Sequence, residues 1–195
     1  EVSSAAEIKP TKSDFSVKYI KVNLSHFPYE SFNQKVIDFT YDSKAEPEGN
    51  ALLFDWQNPT ESVSFGYNTR IRTTNDIIKI NKKIQFPLTG LPEELKQFTQ
   101  PQITIESDNK EIIELASKLV QGENDMYVVV HKLAEWTKNN IEYDLSTLTA
   151  EVSQKASWVL ENKQGVCDEL TNLFISMLRS VGIPAKFVTG TVYTN

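Results

Sequence analysis

Apolar and polar positions follow two different periods along this chain. From residue 15 to about residue 90 the apolar residues fall in short runs rich in β-branched and aromatic side chains. "FSVKYIKVN", "KVIDFTYD", "ALLFDW", "SVSFGYNTRIRT" and "IIKINKKIQF" follow one another, parted by turn clusters such as "KAEPEGN" and "WQNPTES". Short strands separated by turn residues predict a β-sandwich or barrel. The stretch "FPLTGLPEELKQFTQP" then breaks the pattern with prolines and reads as a connector.

Beyond it the period becomes helical. Asp108 stands three residues before Glu111, a box-like helix start, and Ile112, Ile113, Ala116, Leu119 and Val120 share one face up to Gly122. A second helix begins near Asp125 and carries Tyr127, Val130, Leu133, Ala134 and Trp136 before "NNIEYD". A third, shorter helix covers "QKASWVLEN". The cleanest pattern starts at Cys167: Leu170, Leu173, Phe174, Met177, Leu178 and Val181 form a stripe at three- and four-residue steps. Gly182 is a left-handed stop, Pro184 prevents continuation, and Arg179 sits in the last turn, where a cation is favoured. The expectation is therefore an α+β chain. Residues 1–14 form a flexible leader, 15–104 a β-sandwich-like domain, and 105–195 a helical domain.

Composition narrows the function. With 39% hydrophobic and 24% charged residues the chain is an ordinary globular sequence. Its formal net charge of -6, with no Lys/Arg cluster, argues against a nucleic-acid partner. No apolar run approaches the roughly 20 residues of a membrane span. A single cysteine excludes an internal disulfide framework. No phosphate loop, metal-spaced His/Cys set or calcium loop occurs, so no cofactor or metal is expected. "EVSSAAEIKPTKSD" lacks the apolar centre of a signal peptide, Asn23-Leu24-Ser25 is a glycosylation triplet, and "AKFVTGTVYTN" stops within an expected strand. The chain reads as a segment of a longer protein.

Cys167 lies in "NKQGVCDELTNLF", two residues after Gly165, which permits a close approach to the helix start. Free backbone N–H groups at a helix N-terminus favour an anionic sulfur and can hold the oxyanion of an attacked carbonyl. Asp168 and Glu169 bring two negative charges into the same turn and oppose a second anion there. On these residues alone Cys167 is either a small buried hydrophobe or a nucleophile that needs a partner base. Trp158 could line a cleft, though a core-packed aromatic is the simpler reading. Tyr143 could hydrogen-bond near the thiol or pack at a strand end. Asp168 reads as a helix-start charge rather than a catalytic acid.

"GVCDELTNLFISMLRSVGIPAKFVTG", residues 165–190, closely resembles the central motif of the transglutaminase-like superfamily. Gly165, Cys167, Arg179, Gly182, Ile183, Pro184, Ala185, Lys186 and Gly190 stand in the motif's places, and "LAEWTKNNIEYD" resembles the preceding helix. The resemblance covers roughly residues 133–195, and the combined pattern is far more specific than any single motif. It implies a papain-like fold with a Cys helix on an antiparallel sheet, of which this chain holds the first part. The implied chemistry is acyl transfer or amide/peptide hydrolysis by a Cys-His-Asp triad through a thioester. Carried over residue by residue, it gives Cys167 as the nucleophile. The family's His and Asp follow the Gly-Ile-Pro-Ala strand, beyond this sequence, so the segment alone is expected to be inactive. His26 reads as a loop residue of the β-rich half, and His131 as a helix-surface residue. The expected partner is a protein or peptide substrate. The setting is extracellular or cell-surface, with a cytoplasmic one as the alternative. The alternative function is a non-catalytic interaction protein on the same scaffold.

Overall fold

A computed structural model describes residues 1–12, 14, 16–42, 44–49, 51–74, 79–147 and 153–190. The chain divides after residue 78, and the second unit is Lys79–Val188.

The first unit is built from six strands: β1 (Val2–Ile8), β2 (Tyr19–Leu24), β3 (Gln34–Tyr41), β4 (Ala45–Glu48), β5 (Ala51–Gln57) and β6 (Val63–Thr73). They form two three-stranded antiparallel sheets, ordered β1-β6-β3 and β2-β5-β4. Alternation decides what each sheet buries. In β5, Leu52, Phe54 and Trp56 turn inward while Asp55 and Gln57 face solvent. In β6 the inward positions are Val63, Tyr67 and Thr69. Ala45, Leu52, Phe54 and Trp56 from one sheet and Val63 and Tyr67 from the other share one apolar cluster. Each fully buried Phe or Leu contributes about 1.5–3 kcal/mol. Burial pushes the Tyr67 phenol above its ordinary pKa.

The leader expected at residues 1–14 is a strand over Val2–Ile8. It runs along β6 from Val2↔Thr69 to Ile8↔Val63. Apart from Val2 its side chains are exposed, so no apolar alternation announces it. Small residues make the pairing possible. A Cβ on Gly66 would lie 2.2 Å from the Ser4 carbonyl oxygen, so only glycine admits β1 here.

The expected strand "IIKINKKIQF" is not formed. Ile77 and Ile78 lie outside the described residues, and Lys79–Ile84 has no ladder. Its hydrogen-bonding groups go to the start of a helix instead. Ile84 accepts from the Met126 N–H at 2.8 Å and Phe86 donates to Asn124 at 3.2 Å. Phe86 is buried in the helical core. The division between units therefore falls at Lys79, not at 105.

The second unit starts with a short helix, α1 (Glu93–Lys96), followed by α2 (Lys110–Leu119) and α3 (Met126–Asn140). The cap of α2 is Asn109, one residue later than the expected Asp108: its side chain accepts the Glu111 and Ile112 N–H groups at 3.0 and 3.3 Å. Asp125 caps α3 as expected. The most deeply buried line of α3 is Val129, Leu133 and Thr137. Strand β7 (Glu142–Tyr143), helix α4 (Ala156–Asn162), strand β8 (Gln164–Gly165) and helix α5 (Cys167–Ser180) complete the unit. Lys163 closes α4 in the left-handed conformation (φ 57°) and turns the chain into β8.

Helix α5 packs against α2, α3 and α4. The expected stripe holds, but the helix is buried on nearly every side. Asn172, Ile175, Ser176 and Arg179 are buried together with Leu173, Met177 and Leu178. Residues 183–190, expected as a strand, have no regular structure. The Ala185 N–H donates to the Phe98 carbonyl at 3.0 Å, which is an anchor rather than a ladder. The sheet beside α5 is the two-residue parallel pair β7–β8, not an antiparallel sheet, among the described residues.

Candidate active site

Cys167 is the first residue of α5, and its thiol is exposed. The helix behind it is one of the most buried elements of the unit, so the sulfur sits at a solvent edge on a fixed base. Val166, at the cap position, has no side-chain acceptor. The N–H groups of Cys167, Asp168 and Glu169 have no acceptor among the described residues. The first turn that carries the thiol thus holds three amides without an acceptor among the described residues, the kind of group that can stabilise a developing oxyanion.

The two carboxylates of this turn part company. Asp168 stays half-buried in the first turn. Glu169 is 2% exposed and folds back under the helix start. Its Oε2 accepts the Val166 N–H at 2.9 Å and the Thr147 hydroxyl at 3.1 Å; its Oε1 accepts the Gln154 N–H at 3.1 Å. Only the half-buried Asp168 therefore remains as an unengaged charge near the sulfur among the described residues, and Glu169 is a buried strut. A Cβ on Gly165 would lie 3.1 Å from the Glu169 Oε2 and 3.2 Å from Leu170 Cδ1. A side chain larger than hydrogen at Gly165 would therefore crowd the Glu169 carboxylate and Leu170, which would have to give by a few tenths of an ångström.

One turn on, Asn172 donates to the Ser153 hydroxyl at 2.9 Å, and Ser176 donates to the Asn172 carbonyl at 2.7 Å. Glu169 and Asn172 together fasten Thr147, Ser153 and Gln154 to the helix that begins at Cys167. Sequence reading missed this polar layer. The one available signal is Glu169 three residues after the cap, and it is masked because Val166 is no capping residue.

At the far end, Arg179 is 4% exposed. Its Nε and Nη2 donate to the Ala185 carbonyl at 3.0 and 2.8 Å, and its Nη1 donates to the Gln100 carbonyl at 2.6 Å and the Gln102 side chain at 3.3 Å. It was expected as a cation favoured by the helix end. It is a buried clamp on two chain segments, and burial pulls its pKa below the ordinary value.

The other sequence candidates are dispersed. Trp158 packs against the helical core. His131 is exposed on α3, its Nδ1 3.7 Å from the Glu135 carboxylate. His26 is exposed in a loop of the first unit, its Nδ1 3.0 Å from the Thr189 hydroxyl. Among the described residues no hydrogen bond or ion pair joins either imidazole to Cys167. Tyr143, in β7, is 57% exposed, so it does not pack at the strand end. Next to it, the N–H and hydroxyl of Ser146 hold the Asp144 carboxyl below the usual carboxylate range. No group of three His, Cys, Asp or Glu side chains that could hold a metal occurs among the described residues.

Residues 113–195 match the family model of the transglutaminase-like superfamily core. The matched segment makes up less than half of the chain and includes the stretch, residues 165–190, that resembles the superfamily's central motif. Over 80 residues the chain is 30% identical to the uncharacterized protein YebA of Bacillus subtilis (strain 168); the match covers 39% of this chain and 11% of YebA. The chain thus spans about a tenth of that relative's length. The crystal structure of a candidate cysteine protease from Cytophaga hutchinsonii superposes with a TM-score of 0.72 at 17% identity, covering 93% of this chain and 63% of that one. The likeness shows a shared α+β fold of antiparallel sheets and helices, the papain-like fold of transglutaminase-like proteins.

Proposed function

We propose that Cys167 is the nucleophile of a cysteine acyltransferase or amide/peptide hydrolase that works through a thioester. The observation that carries this reading is the exposed Cys167 at the start of a buried helix, with three amides that have no acceptor among the described residues. The sulfur would attack a carboxamide or peptide carbonyl, with the negative charge of the tetrahedral intermediate on the carbonyl oxygen facing those amides. The C–N bond then breaks, and the amine leaves carrying a proton. Water or a second amine attacks the thioester, giving an acid or a new amide and returning the thiol.

A base must take the thiol proton, and neither described imidazole is placed for it. By the family's chain order the base is a His following Gly190 in a longer protein, oriented by an Asp. The same observation favours a second reading, a non-catalytic interaction protein on this scaffold. The two-sheet first unit, sandwich-like in its shared core, fits an extracellular or cell-surface setting for either, with a cytoplasmic one as the alternative.

The longer protein tests this with casein as acyl donor, with and without a fluorescent primary amine. Peptide release in water supports hydrolysis, and amine incorporation supports transfer. Cys167→Ala should reduce both to background. An unchanged rate would remove Cys167 from the mechanism, and an inactive wild-type protein would favour the interaction reading.

A further inference from the structure

Strand β7, which pairs with the segment leading to the thiol, has an open edge on its far side and large exposed side chains near it. In β7 and β8, Glu142 donates to the Lys163 carbonyl at 2.8 Å and Asp144 donates to the Gly165 carbonyl at 3.0 Å. Successive residues of a strand turn their main-chain groups to opposite sides. Tyr143, between those two donors, therefore points its N–H and C=O away from β8. Neither group has a partner among the described residues. Two large apolar side chains flank this open edge: Tyr143, 57% exposed, and Leu145, 67% exposed.

The edge is close to Cys167. Tyr143 is the register partner of Gly165, two residues before the thiol. Paired strands lie about 4.8 Å apart, and two residues span at most about 7 Å. Tyr143 is thus within about 12 Å of Cys167, and a peptide paired on its far edge within about 17 Å, the reach of up to about five residues of extended peptide. The described charged neighbours are the acidic Glu142, Asp144 and Asp168 and one cation, Lys163, whose Nζ lies 5.0 Å over the Trp136 ring. Glu142 is exposed, Asp168 is half-buried, and neither has an ion pair among the described residues.

We propose that the Tyr143 edge, with Tyr143 and Leu145 as its rim, binds the acyl donor as an extended, apolar, non-acidic peptide segment next to the bond that Cys167 attacks. This inference rests on the nucleophile assigned above and adds the substrate class. Main-chain pairing with the Tyr143 N–H and C=O supplies affinity, and the rim selects an apolar side chain, the division of labour in strand-addition binding. The open edge is short, as exposed edges in stable proteins are. Glu142 and Asp168 disfavour an acidic segment by like-charge repulsion.

The test uses the 195-residue chain and peptide chloromethyl ketones. The Cys167 sulfur forms a C–S bond, chloride leaves, and the thiol proton goes to solvent. An acetyl-Leu-Val-Gly probe should label Cys167 about tenfold faster than an acetyl-Asp-Glu-Gly probe, roughly 1.4 kcal/mol of discrimination. The double variant Tyr143→Ala/Leu145→Ala should erase that preference. An apolar probe N-methylated along its main chain should also label more slowly. Iodoacetamide, which has no peptide to dock, should label the variant and the parent chain at the same rate. The proposal is overturned if the variant keeps the apolar preference. It is also overturned if iodoacetamide labelling falls as much as peptide labelling, because the effect then lies on the thiol itself. If the preference holds but casein turnover survives Cys167→Ala, the nucleophile assignment fails while the docking edge stands.

Discussion

Glu169→Ala should destabilise the helical unit by about 3–5 kcal/mol, because several buried donors lose their acceptor together. Three donors would lose their acceptor at once: the Val166 N–H, the Gln154 N–H and the Thr147 hydroxyl. Each buried donor left unpaired costs about 1–3 kcal/mol. Alanine also leaves a cavity under Gly165, whose packing against the carboxylate is already tight. Glu169→Gln should cost less, because Gln keeps one carbonyl acceptor, but its NH2 must face a donor that the carboxylate satisfied. Urea denaturation followed by tryptophan fluorescence checks this, since Trp136 and Trp158 both pack on the affected core. A loss below about 1 kcal/mol for Glu169→Ala would contradict the buried strut.

Arg179→Met should cost about 2–4 kcal/mol, and the reason is the acceptors, not the charge. Methionine fills much of the volume and removes the desolvation cost of a buried cation. It also orphans the Ala185 and Gln100 carbonyls, which Arg179 satisfies. Arg179→Lys should recover only part of the loss, because a single ammonium cannot copy the two-pronged grip on Ala185 while also reaching Gln100. The same urea measurement applies. Proteolysis between Gln100 and Gln102 should quicken in Arg179→Met as that segment loses its clamp. A variant as stable as the parent chain would show that these bonds contribute nothing net.

Legibility followed the kind of signal each element carries. Asp125, Gly122 and Gly182 are helix punctuation with one meaning, and α3 and α5 begin or end where they indicate. Asp108 and Asn109 are both capping residues, so the start of α2 shifts by one. β1 escaped notice because Ser3, Ser4, Ala5 and Ala6 bury almost nothing; its pairing is visible only through Gly66 across the sheet. Residues 79–85 have strand-like composition, but long-range bonds to residues 124–126 decide their place. At the site, Cys167 at a helix start was readable. The buried layer of Glu169, Asn172, Ser176 and Arg179 was not, because charged and polar side chains read as a solvated face until their partners arrive from Gln100, Gln102, Thr147, Ser153 and Gln154. That layer changes the electrostatic picture of the thiol: one of the two carboxylates set against it is engaged below the helix.

The most direct test of the central claim is acylation of Cys167 in the 195-residue chain by a peptide p-nitrophenyl ester, read by mass spectrometry. Such an ester needs no help to expel its leaving group, so the reaction isolates the attack by sulfur and the pull of the neighbouring amides. The account predicts one acyl group per chain, on the Cys167 peptide and released by hydroxylamine as a thioester. It also predicts faster acylation of the folded chain than of the same chain in denaturing urea, because only the helix start assembles the free N–H groups. A folded chain acylated no faster than the unfolded one, or acylated elsewhere with Cys167 untouched, would contradict it.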